Sequence, residues 1–351
     1  MLAPSSGPGV KNVFSILISW MFPVQADDGE CRGWLPAEVI ATIDTPEIDE
    51  LSGLVGTRRS GGALWAHNDS GGESRLYALD DQGGLVGEFF VPGVSNVDWE
   101  DIAIGPCGES SPECSCLVIA DIGNNDGSRE GGSLYRLVEP DPWSGSGQTT
   151  VPEVISFVYP DGPHDAEALL IHPITGETVI VTKASPAGIY TFGESTPEAS
   201  SVPVTLVHEG FLVLDSDTPE VTGGDVSELG YRIALRTDGD VFLYDVQGQS
   251  LVDGLRGVAN PLPGPEEQNA EAVAFSGDGR SLFLAGEEKN PELWTIRCAS
   301  FDLTAETSDP LLDCASNGED LDSCGCRGGS GAAIAFFGFW GWRKRRLKAS
   351  Q

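Results

Sequence analysis

The sequence predicts an all-β protein, a five-bladed β-propeller closed by an N-terminal strand. Three observations carry this. Forty-five glycines and 23 prolines in 351 residues, with no long apolar run at 3.6-residue spacing, mark many short strands joined by tight turns. Five apolar runs with similar lead-ins begin 48, 67, 57 and 47 residues apart, intervals that suit four-stranded blades with variable loops. Behind each run the same succession of further strands recurs.

In chain order, residues 1–26 read as an export signal. Lys11 lies in the n-region, Val13 to Val24 is the apolar core, and Val24-Gln25-Ala26 is a small-residue cleavage site. The alternative, a buried strand, would leave residues 1–12 as an isolated loop. Export places the chain in an oxidising compartment, where its eight cysteines suit disulfides.

The propeller spans 27–298. Its innermost strands are Leu51-Ser52-Gly53-Leu54-Val55, Trp99-Glu100-Asp101-Ile102-Ala103, Ala166-Glu167-Ala168-Leu169-Leu170, Gly223-Gly224-Asp225-Val226-Ser227 and Ala270-Glu271-Ala272-Val273-Ala274. Second strands follow at 63–67, 117–121, 178–183, 232–236 and 281–286, after turn residues such as Ser60-Gly61-Gly62 and Gly277-Asp278-Gly279. Third strands, each with an aromatic and a two-residue alternation, lie at 75–79, 134–137, 189–192, 241–244 and 293–296. Fourth strands are read at 85–91, 154–159, 202–208 and 251–258.

The fifth unit stops at Cys298 without a fourth strand. Residues 38–43 supply one from the N-terminus, which closes the ring and removes two sticky edges. Cys31 and Cys298 flank that junction. A disulfide there would stabilise the fold by roughly 4–5 kcal/mol through loop closure. A six-bladed ring is the alternative, with an extra hairpin around Asp141 to Gln148 inside the 67-residue interval. Cys107 pairs with Cys114 or Cys116 across a loop on the far face.

Residues 299–326 form an acidic, cysteine-containing linker in which Cys314 can pair with Cys324. Residues 327–351 hold a Gly-rich hinge, an apolar run from Ala332 to Trp342 and the cluster Arg343-Lys344-Arg345-Arg346. That run is too short for a comfortable span of about 20 residues. With Cys324-Gly325-Cys326 ahead of it, the order resembles a MYXO-CTERM sorting tail, which implies cleavage near the cysteines and display at, or release from, a bacterial surface. A short tail anchor is the alternative. On either reading the membrane is met only through this tail before processing.

Without both ends, 13 Lys and Arg face 54 Asp and Glu, a balance near −41. Such a field repels nucleic acid and anionic membrane and attracts cations. Solubility in a salty medium also accounts for much of it.

Propeller geometry brings the start of each innermost strand and the end of each second strand to one face beside the axis. The starts hold Ser52, Glu100 with Asp101, Glu167, Asp225 and Glu271; the ends hold His67-Asn68-Asp69, Asp121 with Asn124, Lys183, Arg236 and Glu287. His164 joins the same rim. Oxygen donors of this density suit calcium, which takes six to eight of them, so Glu100, Asp101, Asp121, Asn124, Glu167, Asp225 and Glu271 are the expected metal ligands. Zinc-like His or Cys spacing is missing. His67, Asn68, Asp69, His164, Lys183, Arg236 and Glu287 are the expected ligand contacts, with Arg236 able to grip an anion bidentately. Glu100 or Glu167, crowded by neighbouring acids, is the candidate general acid or base. The bland alternative is that such acids only hold turn amides. Neither a Gly-x-Ser-x-Gly elbow nor a P-loop occurs.

The phrases Trp65-Ala66-His67-Asn68-Asp69-Ser70-Gly71, Asp98-Trp99-Glu100-Asp101-Ile102-Ala103, Ala120-Asp121-Ile122-Gly123-Asn124-Asn125 and Pro160-Asp161-Gly162-Pro163-His164-Asp165-Ala166-Glu167-Ala168 together resemble a group of secreted bacterial propellers labelled variously WD40-like, esterase-like or phytase-like. The resemblance is fairly specific over residues 51–192. It implies an acid-rich site on a secreted propeller and carries no activity with it. Two functions are therefore expected: a calcium-loaded binder of a small molecule or glycan, or a calcium-assisted hydrolase of esters, lactones or phosphoesters.

Overall fold

The computed structural model describes residue 31 and residues 33–299, apart from 109–113, 194–198, 247, 249, 266 and 268. The export signal, the tail, and the Cys314–Cys324 pairing lie outside the described residues, as does nearly all of the linker.

The described chain is a five-bladed β-propeller. Innermost strands Leu51–Gly56, Trp99–Pro106, Ala166–Ile171, Gly223–Val226 and Ala270–Phe275 begin blades 1 to 5 and touch one another in cyclic order. All but one of their residues are buried, because both faces and both edges of an innermost strand are covered. Period-two alternation is lost there for that reason. Five apolar clusters fill the five blade interfaces; the one between blades 1 and 2 packs Trp65, Trp99 and Tyr135 against Ile102 and Ile119. The ring is thus five sandwiches in series, each buried by a neighbour.

Closure follows the expected route. Glu38–Thr42 pairs antiparallel with Glu292–Arg297 as the outer strand of blade 5. Trp34 bridges to Cys298, and Cys31 is bonded to Cys298 across 267 residues. On the face opposite the rim, Cys107 is bonded to Cys116.

The outer strands depart from the sequence reading in one consistent way. In blades 2, 3 and 4 the connection from third to fourth strand reaches back and straps the preceding blade. The strap of blade 2 contains the turn Pro142–Ser144, capped by Asp141, and the strand Gly145–Gln148, which adds parallel to Leu85–Phe90 of blade 1. This replaces the hairpin of a sixth blade. The strap of blade 3, Ser200–Thr205, adds parallel to Glu153–Val158 of blade 2, so the fourth strand of blade 3 is Val207–Leu212. The expected strand 202–208 therefore divides between two sheets.

The strap of blade 4 is helical. Leu251–Leu255 is a short helix capped by Ser250, with Leu251, Val252 and Leu255 buried. Glu177 of blade 3 accepts from Leu251 N (2.7 Å), holding the helix start where free amides need an acceptor. Over five residues, helical and strand spacing of three apolar side chains look alike. The fourth strand of blade 4 is instead Asn260–Pro263, where prolines are tolerated at a sheet edge.

Candidate functional site

The start of four of the five innermost strands is decided by a register shift. In blades 1, 2, 3 and 5 the pairing with the second strand skips one residue: Ser52, Glu100, Glu167 and Glu271. A bulge bends the strand and re-aims the extra residue. Blades 2, 3 and 5 thereby bring a glutamate to a common axial cluster, where Glu100 feels the charges of both Glu167 and Glu271. Blade 4 has no bulge, and a Cβ on Gly223 would overlap the carbonyl of Glu271, so blade 4 adds only backbone.

Two residues before three of these bulges sits another carboxylate: Glu50, Asp98 and Asp165. Asp98 and Asp165 complete two groups able to hold a metal ion. Asp69, Asp98 and Glu100 form one, and Glu100, Asp165 and Glu167 the other; within each, one oxygen per residue lies within 4.8 Å of the rest. Both added acids escaped the sequence reading. The pattern acid-apolar-acid in Asp98-Trp99-Glu100 and Asp165-Ala166-Glu167 is the signal that marks them.

Lys183, just past the second strand of blade 3, donates to Glu167 Oε1 (2.5 Å). Burial opposes its charge, but Glu167 holds the ammonium above its ordinary range. Glu167 Oε2 is buried without a hydrogen-bond partner among the described residues, and so is Asp69 Oδ1. Burial, then the charges of Glu167, Asp69 and Asp98, pushes Glu100 up to about 10. Burial, then Glu167, pushes Glu271 to about 9. Asp69 rises to about 6 through burial, Asp98 and Glu287. Glu287 itself is raised by burial and Glu50.

Glycine at 123 is a matter of space. A Cβ there would overlap Glu100 Oε1 and come within 2.7 Å of the Asp98 carboxylate. Asn124 fixes the same corner, its amide N–H donating to Asp165 Oδ1 (2.7 Å).

Several expected site residues have other tasks. Asp101 accepts from Ile102 N and from Leu169 N of blade 3 (both 2.8 Å), and Asp225 accepts from Val226 N and from Phe275 N of blade 5 (both 2.7 Å). With both oxygens holding amides of adjacent innermost strands, these aspartates are interblade staples rather than metal ligands. Ser52 acts likewise, donating to the Glu100 carbonyl (2.7 Å). Asp121 binds Arg129 (2.7 Å) and the Tyr135 hydroxyl (2.8 Å), and the Asn124 side chain bonds the backbone of Arg129 and His164. Among the described residues, Asp121 belongs to neither group of acids able to hold a metal ion.

His67 is wholly buried, edge-on to Trp99, and donates from Nδ1 to Asn68 O (2.9 Å). Its Nε2 faces Gly53, where a Cβ would overlap it. Burial pushes its pKa down to about 4, so it is a neutral packing residue. Asn68 donates to Glu47 O (2.8 Å). His164 lies with Asp161 (3.1 Å) and Tyr190 (2.9 Å), in an aromatic group with Tyr159 and His208. Arg236 is 1% exposed, donates to Ala272 O (2.6 Å) and Ala285 O (2.9 Å), and pairs with Glu267. It bolts blade 4 to blade 5 and cannot grip an anion at the rim.

A pH dependence follows. Carboxyls raised in the folded state add stability in full below their unfolded values near 4 and lose it as pH rises through about 6 (Asp69), 9 (Glu271) and 10 (Glu100). His67 acts oppositely, its contribution disappearing as pH falls from about 6.5 through 4. In chelator, the melting temperature is therefore expected to fall from pH 6 to pH 9. A flat or rising profile in calorimetry over that window would contradict the carboxyl crowding described here.

No protein-family model and no curated protein sequence matches the chain.

Proposed function

We propose that this protein is an exported propeller, secreted or held at the cell surface, whose axial carboxylates bind a hard divalent cation, calcium, together with a small molecule or glycan. One observation carries the reading: a fully buried carboxylate oxygen, Glu167 Oε2, has no donor among the described residues although four other acids gather in the two groups that meet at Glu100. A buried anionic oxygen without a partner is costly, and a cation supplies what is missing. Oxygen-only donors select calcium or magnesium-like ions over zinc or copper. Export agrees with two disulfides among the described residues.

Glu167 and Glu100 would hold the ion, with Asp165, Asp98 and Asp69 completing the donor set. Lys183 keeps Glu167 in place. The second reading, a hydrolase of esters, lactones or phosphoesters, has its own support: Lys183 and Glu271 line the cluster but belong to neither cation group. An ammonium and a carboxyl thus remain to orient a substrate and move a proton. The bound cation would polarise the scissile bond.

The test is calcium binding to the purified chain by calorimetry, with melting temperature followed in calcium and in chelator. Calcium is expected to bind and raise the melting temperature, and Glu167→Gln and Gly123→Ala to weaken binding at least tenfold. Binding unchanged in both variants would refute the site. Turnover of phytate, p-nitrophenyl esters or lactones, lost with chelator, would select the hydrolase; ligand binding without turnover would select the binder.

A further inference from the structure

We propose that the axial site holds two divalent cations side by side, bridged by the carboxylate of Glu100. This rests on the cation-binding reading above and deepens it. The two carboxylate groups are not separate places, since Glu100 belongs to both: Asp69 and Asp98 complete one, Asp165 and Glu167 the other. A carboxylate offers two oxygens and about four lone-pair directions, enough for one side chain to serve two ions. Ions bridged in this way stand about 3.5–4 Å apart.

Each group also carries its own mark of a missing partner. Among the described residues, Glu167, 2% exposed, leaves Oε2 buried without a hydrogen bond in one group, and Asp69 leaves Oδ1 so in the other. Lys183 donates to Glu167 Oε1 and leaves both orphan oxygens unserved. The charges agree. With all five carboxylates (Asp69, Asp98, Glu100, Asp165, Glu167) ionised, as ligation requires, and one ammonium (Lys183), four negative charges remain, which two divalent cations neutralise and one does not.

Gly123 explains how the bridge is placed. The chain runs so close behind Glu100 and Asp98 that any side chain at 123 would displace them. Asn124, next in sequence, holds Asp165 of the other group through its amide N–H. One short segment therefore sets the spacing of the two half-sites. Calcium takes six to eight oxygens, so five shared carboxylates leave positions open for water and for an anionic oxygen of a ligand. Paired cations clamp the attacking and leaving oxygens of an in-line displacement, so a phosphoester is the ligand class this site suits.

Manganese, a spin-bearing hard cation, is the probe. The full chain, stripped with chelator and titrated with Mn2+, is expected to bind two ions and to give an exchange-coupled electron paramagnetic resonance spectrum. Asp69→Asn and Glu167→Gln should each leave one uncoupled ion, and Glu100→Gln should abolish the coupling and weaken both sites at least tenfold. The wild-type spectrum needs no variant to fold. One ion per chain, or two without coupling, would overturn the bridged pair while the single-cation reading stood. No bound ion at all would overturn both.

Discussion

The double variant Cys31→Ser/Cys298→Ser is expected to lose about 4–5 kcal/mol of stability and to melt roughly 10–15 °C lower. The ring closes where the outer strand of blade 5 comes from the other end of the chain, Glu38–Thr42 against Glu292–Arg297. The bond between Cys31 and Cys298 ties that junction across 267 residues, so the unfolded chain loses much freedom when it is present. The matched variant Cys107→Ser/Cys116→Ser opens a separation of only 9 residues and should cost roughly 2–3 kcal/mol. Urea unfolding of both variants checks the order. A larger loss from the short loop would contradict the closure account.

Arg236→Met should cost about 3–5 kcal/mol, because it strands a buried partner. The guanidinium lies 1% exposed and Glu267 6% exposed, and the same guanidinium serves the carbonyls of Ala272 and Ala285. Removing it leaves a buried carboxylate and two carbonyls without a donor. Adding Glu267→Gln to Arg236→Met should recover part of the loss, since a neutral amide is cheaper to bury than an anion. Additive losses in the double-mutant cycle would contradict the pairing. A rim residue gripping an anion would cost far less when replaced.

Arg236 shows where the sequence stops being legible. It stands at the end of a second strand, as Lys183 nearly does, and nothing in its neighbours says that it turns inward. Glu100 and Asp101 make the same point side by side. Both are acids at the start of one strand, yet the bulge sends Glu100 to the axis and Asp101 to the amide of Leu169. Only the pairing register separates them, and register depends on the partner strand. Innermost, second and third strands were legible because apolar runs and turn residues repeat in all five units. The straps were not, because Gly145–Gln148, Ser200–Thr205 and Leu251–Leu255 answer to the preceding blade rather than to their own. Asp98 and Asp165 were legible in principle, two residues ahead of Glu100 and Glu167.

Anomalous diffraction from crystals of the chain soaked in manganese would locate the cations. Density peaks are expected among Asp69, Asp98, Glu100, Asp165 and Glu167, within bonding distance of Glu167 Oε2. An axial cluster with no peak, while the metal occupies acids elsewhere on the surface, would contradict the cation-binding reading.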